Sequence, residues 1–180
     1  MSAPGRITRE AVVEAAARRF RDAGYGAVSV RGVAEDLSVT APALYRHFRD
    51  RADLVAAVLE EGLQGLTHRL GQAAAAPTPA ERLRATAGAI LDFALAEPRV
   101  YQTLTFPADV PELRDVVPRL HDPVRSVGRF LSDRVRERMD RGTLAPGDPD
   151  VVALALWSHS HGLISMHLSL IHISEPTRPY

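Results

Sequence analysis

Two residues, Ser38 and Val39, separate one short helical stretch from the next, and a connection that brief holds two helices against each other across a tight turn. The first stretch runs from Ser29, an N-cap residue type, to Leu37, with Val30, Val33, Ala34 and Leu37 sharing a face. The second opens at Thr40, another cap, and places Pro42 in its first turn, where the missing amide would have had no intrahelical partner. The pair predicts a helix-turn-helix, which needs a core supplied by the flanking sequence.

Upstream, Val12, Val13, Ala16, Ala17 and Phe20 form one stripe of a helix from Thr8 to about Ala23, with Gly24 just past its end. Downstream, Asp50 caps and Asp53 favours the positive end of a long helix whose apolar face is Leu54, Val58, Leu59, Leu63, Leu66 and Leu70, ending near Ala75. Thr78 and Glu81 have the spacing of a capping box, with Pro79 at the first helical position of a helix to Ala96. The segment 99–106 reads as one or two helical turns. The segment 112–141 reads as helical, with Pro118 and Pro123 expected to kink or divide it and Gly142 to end it. From Asp148-Pro149 a last helix, apolar nearly all round, is expected to lie in a core or an interface. No strand pattern precedes Leu168, so the fold class is all-α.

Composition narrows the chemistry. The 180 residues are 46% hydrophobic and 24% charged, and contain no cysteine, which excludes disulfides, thiolate metal sites and cysteine nucleophiles. No apolar run reaches the roughly 18–20 residues of a membrane span and the N-terminus has no signal-peptide core, so a cytoplasmic location without membrane contact is expected. The 22 basic residues balance 22 acidic ones, and through Leu54 nine arginines stand against seven acids.

The second helix of a helix-turn-helix presents its N-terminal residues to base edges while neighbouring side chains hold phosphates. Thr40, Ala41, Pro42 and Ala43 are small enough to let the backbone approach the floor of the major groove, and they offer methyl and methylene surface to thymine methyls. Tyr45, His47 and Arg51 are donors spaced to reach backbone oxygens around that tip, with Ser29 and Arg31 reaching from the preceding helix. Leu44 and Phe48, four apart, face the core.

The stretch 29-SVRGVAEDLSVTAPALYRHFRDRADLVAAV-58 resembles the DNA-binding region of the TetR family of transcriptional regulators, and the likeness extends over residues 8 to 70. The resemblance implies a three-helix DNA-binding domain, here 6–65, and an all-helical ligand-binding and dimerisation domain, here 77–167. It also implies a homodimer on an inverted-repeat operator in double-stranded DNA, released by a small-molecule effector if the protein is a repressor. By position it makes Thr40 to Ala43 the base-reading tip and Tyr45 and His47 phosphate contacts. Arg51 stands where the family usually has Lys. Ser38 stands where it usually has Gly, and a left-handed backbone there would cost a non-Gly residue about 1 kcal/mol. The alternative from another class is a helical protein-interaction module that uses the same fold without reading DNA.

The second domain resembles one branch of the family through 157-WSHSHG-162, where Trp157 and His161 share a helical face and Gly162 permits close approach of another helix. Phe93, Tyr101, Phe106, His121, Trp157 and His161 are candidate ligand contacts, as aromatic or polar groups among apolar helices. No cofactor or metal is expected, because His159 and His161 point to different faces and no carboxylate sits at usable spacing near them or His167. No nucleophile-base arrangement, phosphate-gripping glycine loop or paired-acid motif is discernible, so an enzyme is not expected.

Residues 168–180, LSLIHISEPTRPY, abandon the helical pattern and alternate like a strand for six residues. LSLIHISEPTR resembles the translation of the transposon-end adapter used in sequencing libraries. The natural sequence is therefore expected to stop near His167 in this chain, with part of the dimerisation region missing.

Overall fold

The computed structural model describes the backbone of residues 7–105, 110–113 and 117–174, and their side chains apart from 117, 121, 123 and 170–174. Its regular structure is helical throughout, and no strand occurs among the described residues. Two compact units are formed, one by residues 1–64 and 99–124 and the other by 65–98 and 125–180, and the boundaries at 64 and 124 fall within two of the long helices. The described residues of 99–124 thus group with the N-terminal segment.

In the first unit, α1 (Arg9–Ala23) starts where the Thr8 hydroxyl accepts the Ala11 amide, and buries Val12, Val13, Ala16, Ala17 and Phe20. Gly24 ends it at φ 74°, a conformation that suits a residue without a Cβ. A single 3-10 turn, Tyr25–Ala27, leads to α2 (Val30–Asp36), capped by the Ser29 hydroxyl accepting from the Gly32 amide. Then come α3 (Ala41–Leu44) and α4 (Arg51–Ala73), whose first turns bury Leu54 through Leu59. Asp50 accepts the Asp53 amide and Asp53 accepts the Arg49 amide, a reciprocal cap at the start of α4.

In the second unit, α5 (Pro79–Ala96) carries the expected capping box, with Thr78 and Glu81 satisfying each other's backbone amides. Two turns of α6 (Pro98–Thr105) return the chain to the first unit. After a 3-10 turn at Pro111–Leu113, α7 (Val117–Asp140) runs through both Pro118 and Pro123, so the expected division does not occur. Pro118 sits in the first turn, where its amide is dispensable, and the loss at Pro123 is offset by the burial of Leu120, Val127 and Leu131 on the same helix. The end of α7 is a Schellman motif: Gly142, at φ 67°, donates to Met139, and Thr143 donates to Arg138.

The last helix, α8 (Pro149–Ser174), corrects two expectations. Residues 168–174 are helical, not strand-like. With the helix already nucleated, each added residue gains a backbone hydrogen bond without a new nucleation cost, whereas an isolated strand would leave its edges unpaired. Nor is α8 buried all round: Ala153, Ile164 and Leu168 are covered, while Val151, Leu154, Leu163 and Met166 are each more than half exposed. Residues 175–180 lie outside the described residues.

Candidate nucleic-acid interface and effector cleft

The turn between α2 and α3 is built by the backbone. Ser38 donates to Glu35 and Val39 donates to Ala34, the two bonds of a Schellman end, and Ser38 adopts φ 54°. It is the one non-glycine residue with positive φ among the described residues. The family pattern's glycine requirement is therefore present in the backbone and filled by serine.

That turn presents Thr40 and Pro42 exposed and Ala41 and Ala43 half-buried, with Leu44 and Phe48 anchored at 1% and 2% exposure. The Thr40 backbone is extended and the helix begins after it, but its hydroxyl makes no capping hydrogen bond. Tyr45 projects at 55% exposure and His47 is half-buried with its ring against Phe48. Arg31 is exposed on α2. The Ser29 hydroxyl spends a lone pair on its cap and keeps a proton to donate.

Arg51 is held differently from the sequence expectation of a phosphate donor. Its guanidinium donates to the Tyr25 carbonyl and lies over the Tyr25 ring, 4.0 Å from the centroid. The residue fastens the start of α4 to the 3-10 turn. Two arginines that the motif reading passed over, Arg46 and Arg49, are exposed on either side of His47; Arg49 has only a 3.9 Å approach to Asp53. Both lie within the stretch that signalled the motif, so charge next to the Tyr-His pair was the clue that could have found them.

Two further contacts fix the unit. Arg19 grips α2, with its Nε and Nη2 donating to Asp36 at 2.6 and 2.8 Å and Nη2 also to the Gly32 carbonyl at 3.0 Å. Arg119, from α7, donates to Asp53 at 2.6 Å and to Glu60 at 2.8 Å, both on α4. The Asp53 carboxyl is penalised by burial, but the Arg49 amide and Arg119 outweigh that and hold its pKa below the ordinary value.

The second unit contains a cleft of ≈ 720 Å³ formed by α5, α7 and α8. Its floor continues a small core of Leu131, Val135 and Ala153, against which Leu83, Met139 and Trp157 pack. The Trp157 and His161 rings are stacked, with centroids 4.7 Å apart and planes 2° from parallel, and Ser165 Oγ lies 3.3 Å from His161 Nε2. Burial alone pushes the His161 pKa below the ordinary imidazole value. Arg82 and Glu137 pair across α5 and α7, one arm at 3.0 Å, and tie the start of one helix to the end of the other.

Of the six ligand contacts expected from sequence, Trp157 lines this cleft and His161 stands against it. Phe93 is on α5 but turned into the core at 3% exposure, and does not line it. Tyr101 belongs to the other unit, where burial raises its pKa. Selecting by aromatic type ignored which face of each helix the residue occupies. Phe106 lies outside the described residues, as does the His121 side chain. Of the polar groups that do line the cleft, Ser160 falls within 157-WSHSHG-162, whereas Arg84 and Arg138 belong to no motif and His167 was considered only as a metal ligand.

Known proteins agree with this architecture. Residues 12–58 match the model for bacterial regulatory proteins of the tetR family, and residues 83–174 match that for the tetracyclin repressor-like C-terminal domain. The HTH-type transcriptional activator FasR of Mycolicibacterium smegmatis is 36% identical over 80 residues, a stretch that spans 44% of this chain and only 36% of that relative. The TetR family transcriptional regulator PfmR from Thermus thermophilus superposes with a TM-score of 0.67 at 25% identity, covering 88% of this chain and 85% of PfmR. The fold is shared by AibR, solved with isovaleryl coenzyme A and operator DNA, at a TM-score of 0.66 and 22% identity, over 88% of this chain and 96% of AibR. With one family model over the recognition helices and a second spanning half of the sequence, the chain belongs to the TetR family of transcriptional regulators.

Proposed function

We propose that this protein is a cytoplasmic, homodimeric repressor that binds an inverted repeat in double-stranded DNA and leaves it when a small molecule enters the C-terminal unit. The observation that carries the DNA reading is the tip of α3: small, accessible residues at Thr40 to Ala43, braced from behind by buried Leu44 and Phe48. Thr40 to Ala43 read base edges. Tyr45, His47, Ser29, Arg31, Arg46 and Arg49 hold phosphates, and Arg51 holds the frame on which they stand. Val151, Leu154 and Met166, the exposed apolar residues of α8 that do not line the cleft, support a second copy as their cover, since exposed apolar surface of this kind marks an interface. Ligand release follows if the effector prefers a conformation in which the two recognition helices are mis-spaced.

Fluorescence anisotropy on a fragment carrying an inverted repeat tests the DNA reading. Three exposed arginines per protomer give a slope of log K against log salt of roughly −5 for a dimer. Thr40→Val alters which sequence is preferred, whereas Arg46→Ala weakens all sequences alike. Absence of binding at low salt sinks the reading. FasR's designation as an activator favours a second outcome for the same DNA contact, activation, which a promoter-reporter assay separates from repression.

A further inference from the structure

We infer that the cleft of the second unit takes an amphiphilic anion, a molecule with an aliphatic chain and a carboxylate or phosphate head, lying with its head at the Arg84–Arg138 end. The inference deepens the ligand reading above and rests on it.

The cleft is chemically one-sided. Its walls are aliphatic, with Leu83, Ile90, Leu91, Leu131, Leu163 and Ile164 prominent. Among the described residues that line it there is no Asp or Glu, yet there are two arginines. A neutral apolar ligand would leave those cations without an answering charge; a cationic one would be repelled.

Both arginines lie toward the same end of the helices that form the cleft. Arg84 is two residues from Arg82 and Arg138 is next to Glu137, and the Arg82–Glu137 pair joins the first turns of α5 to the last turn of α7. The neighbouring carboxylates are occupied, Glu137 by Arg82 and Glu81 by the Thr78 cap. Arg138 points one nitrogen at the Thr143 carbonyl, 3.2 Å away, while its Nε is buried without a hydrogen-bond partner. An unmet donor in a partly buried guanidinium is what an incoming anion would satisfy.

From that end the lining follows α5 from Ala80 to Leu95, roughly 20 Å of helix, past the side chains of Leu91 and Leu95. The volume of ≈ 720 Å³ falls within the range of small-molecule sites. An aliphatic chain threads this apolar length while its head remains with the arginines.

Trp157 lines the cleft and is the sole tryptophan of the chain, so its emission reports entry directly. The experiment titrates the full chain with decanoate, decanol and decyltrimethylammonium, each below its micelle concentration, and follows Trp157 fluorescence. Decanoate is expected to bind about tenfold more tightly than decanol, the difference expected of one charge-assisted contact. Decyltrimethylammonium is expected to be the weakest. The paired substitution Arg84→Gln with Arg138→Gln, whose fold is checked by circular dichroism, reduces decanoate to the affinity of decanol and leaves decanol unchanged. Equal binding of anion and cation, or decanoate affinity unaltered by the paired substitution, overturns the inference. So does an emission that shifts with protein concentration and resists every ligand, because a second copy then fills the cleft. If decanoate binds as described but operator affinity is unmoved, the release reading fails and the assignment of the cleft stands.

Discussion

Ser38→Gly tests the physical account of the helix-turn-helix at its narrowest point. Ser38 sits at φ 54° with an exposed side chain that makes no contact needing replacement, so the substitution acts on the backbone alone. The left-handed region costs an L-residue about 1–2 kcal/mol, and glycine escapes it. Against this, glycine gives the unfolded chain extra conformational freedom worth roughly 0.5–1 kcal/mol. The Schellman bonds from Ser38 and Val39 are backbone bonds and survive unchanged. The net expectation is a gain of about 1 kcal/mol, or about 2–4 °C in Tm if the chain unfolds as one unit of this size. Urea denaturation followed by circular dichroism measures it, with Ser38→Ala as the control that keeps the Cβ and should gain nothing. A Ser38→Gly variant no more stable than Ser38→Ala would show that the turn is not left-handed in solution, and with it the spacing of α2 and α3 would need another explanation.

Arg119→Ala removes both contacts to α4, at Asp53 and Glu60, and is expected to cost about 1 kcal/mol after discounting for an Arg119 side chain 37% exposed. Because the Asp53 pKa is depressed in the folded state, that stabilisation is present above the ordinary carboxyl value of 3.8 and fades as pH falls through and below it, so wild-type and variant denaturation curves should converge in acid. Gly32→Ala would put a Cβ 2.6 Å from Arg19 Nη1 and 2.9 Å from Ser29 Oγ; overpacking of about 1–3 kcal/mol exceeds the roughly 1 kcal/mol gained in helix propensity, and in an Arg19→Ala background the penalty should shrink to what the Ser29 Oγ contact alone imposes. The His161 pKa is lowered by burial, so the unfolded chain takes up the proton first and stability falls as pH drops through about 6.5; His161→Asn should flatten that part of a Tm-versus-pH profile, and an unchanged profile would refute the burial of the ring.

What the sequence disclosed was local. Thr8, Ser29, Thr78 and Glu81 act within three residues of themselves, so their capping roles follow from composition at a helix start. The buried stripes of α1 and α4 follow from period alone. Even the strained turn was visible, as a serine where the resemblance asks for glycine. The contacts that could not be read are those between distant residues: Arg19 to Asp36, Arg119 to Asp53, and Arg82 to Glu137, the last 55 residues apart. No periodicity says which arginine closes on which carboxylate. The cleft was found only through Trp157 and His161, for the same reason, since the rest of its lining is a matter of which faces of α5, α7 and α8 meet. Residues 168–174 misled in the opposite direction, because their alternation is a local signal that an existing helix overrides.

Those long-range pairs also explain how a chain with no net charge presents a basic tip. Arginine count alone gave an excess of two through Leu54. The fold redistributes it. Arg18 is matched by Glu14 and Arg19 by Asp36, so neither pair contributes to the surface field at the tip. Asp53, which lies four residues from Arg49, is answered by Arg119 and by the Arg49 backbone amide, and its acceptors are spent inside the unit. Arg51 is drawn back over Tyr25. Arg31, Arg46 and Arg49, on α2 and just after α3, remain exposed. A phosphate backbone in the proposed complex would meet these three guanidiniums within a screening distance of about 8–10 Å, offset in part by the exposed carboxylates of Glu35 and Asp50. On the DNA reading proposed above, whole-chain neutrality limits nonspecific attraction at long range, and selectivity would fall to the small side chains at Thr40 to Ala43.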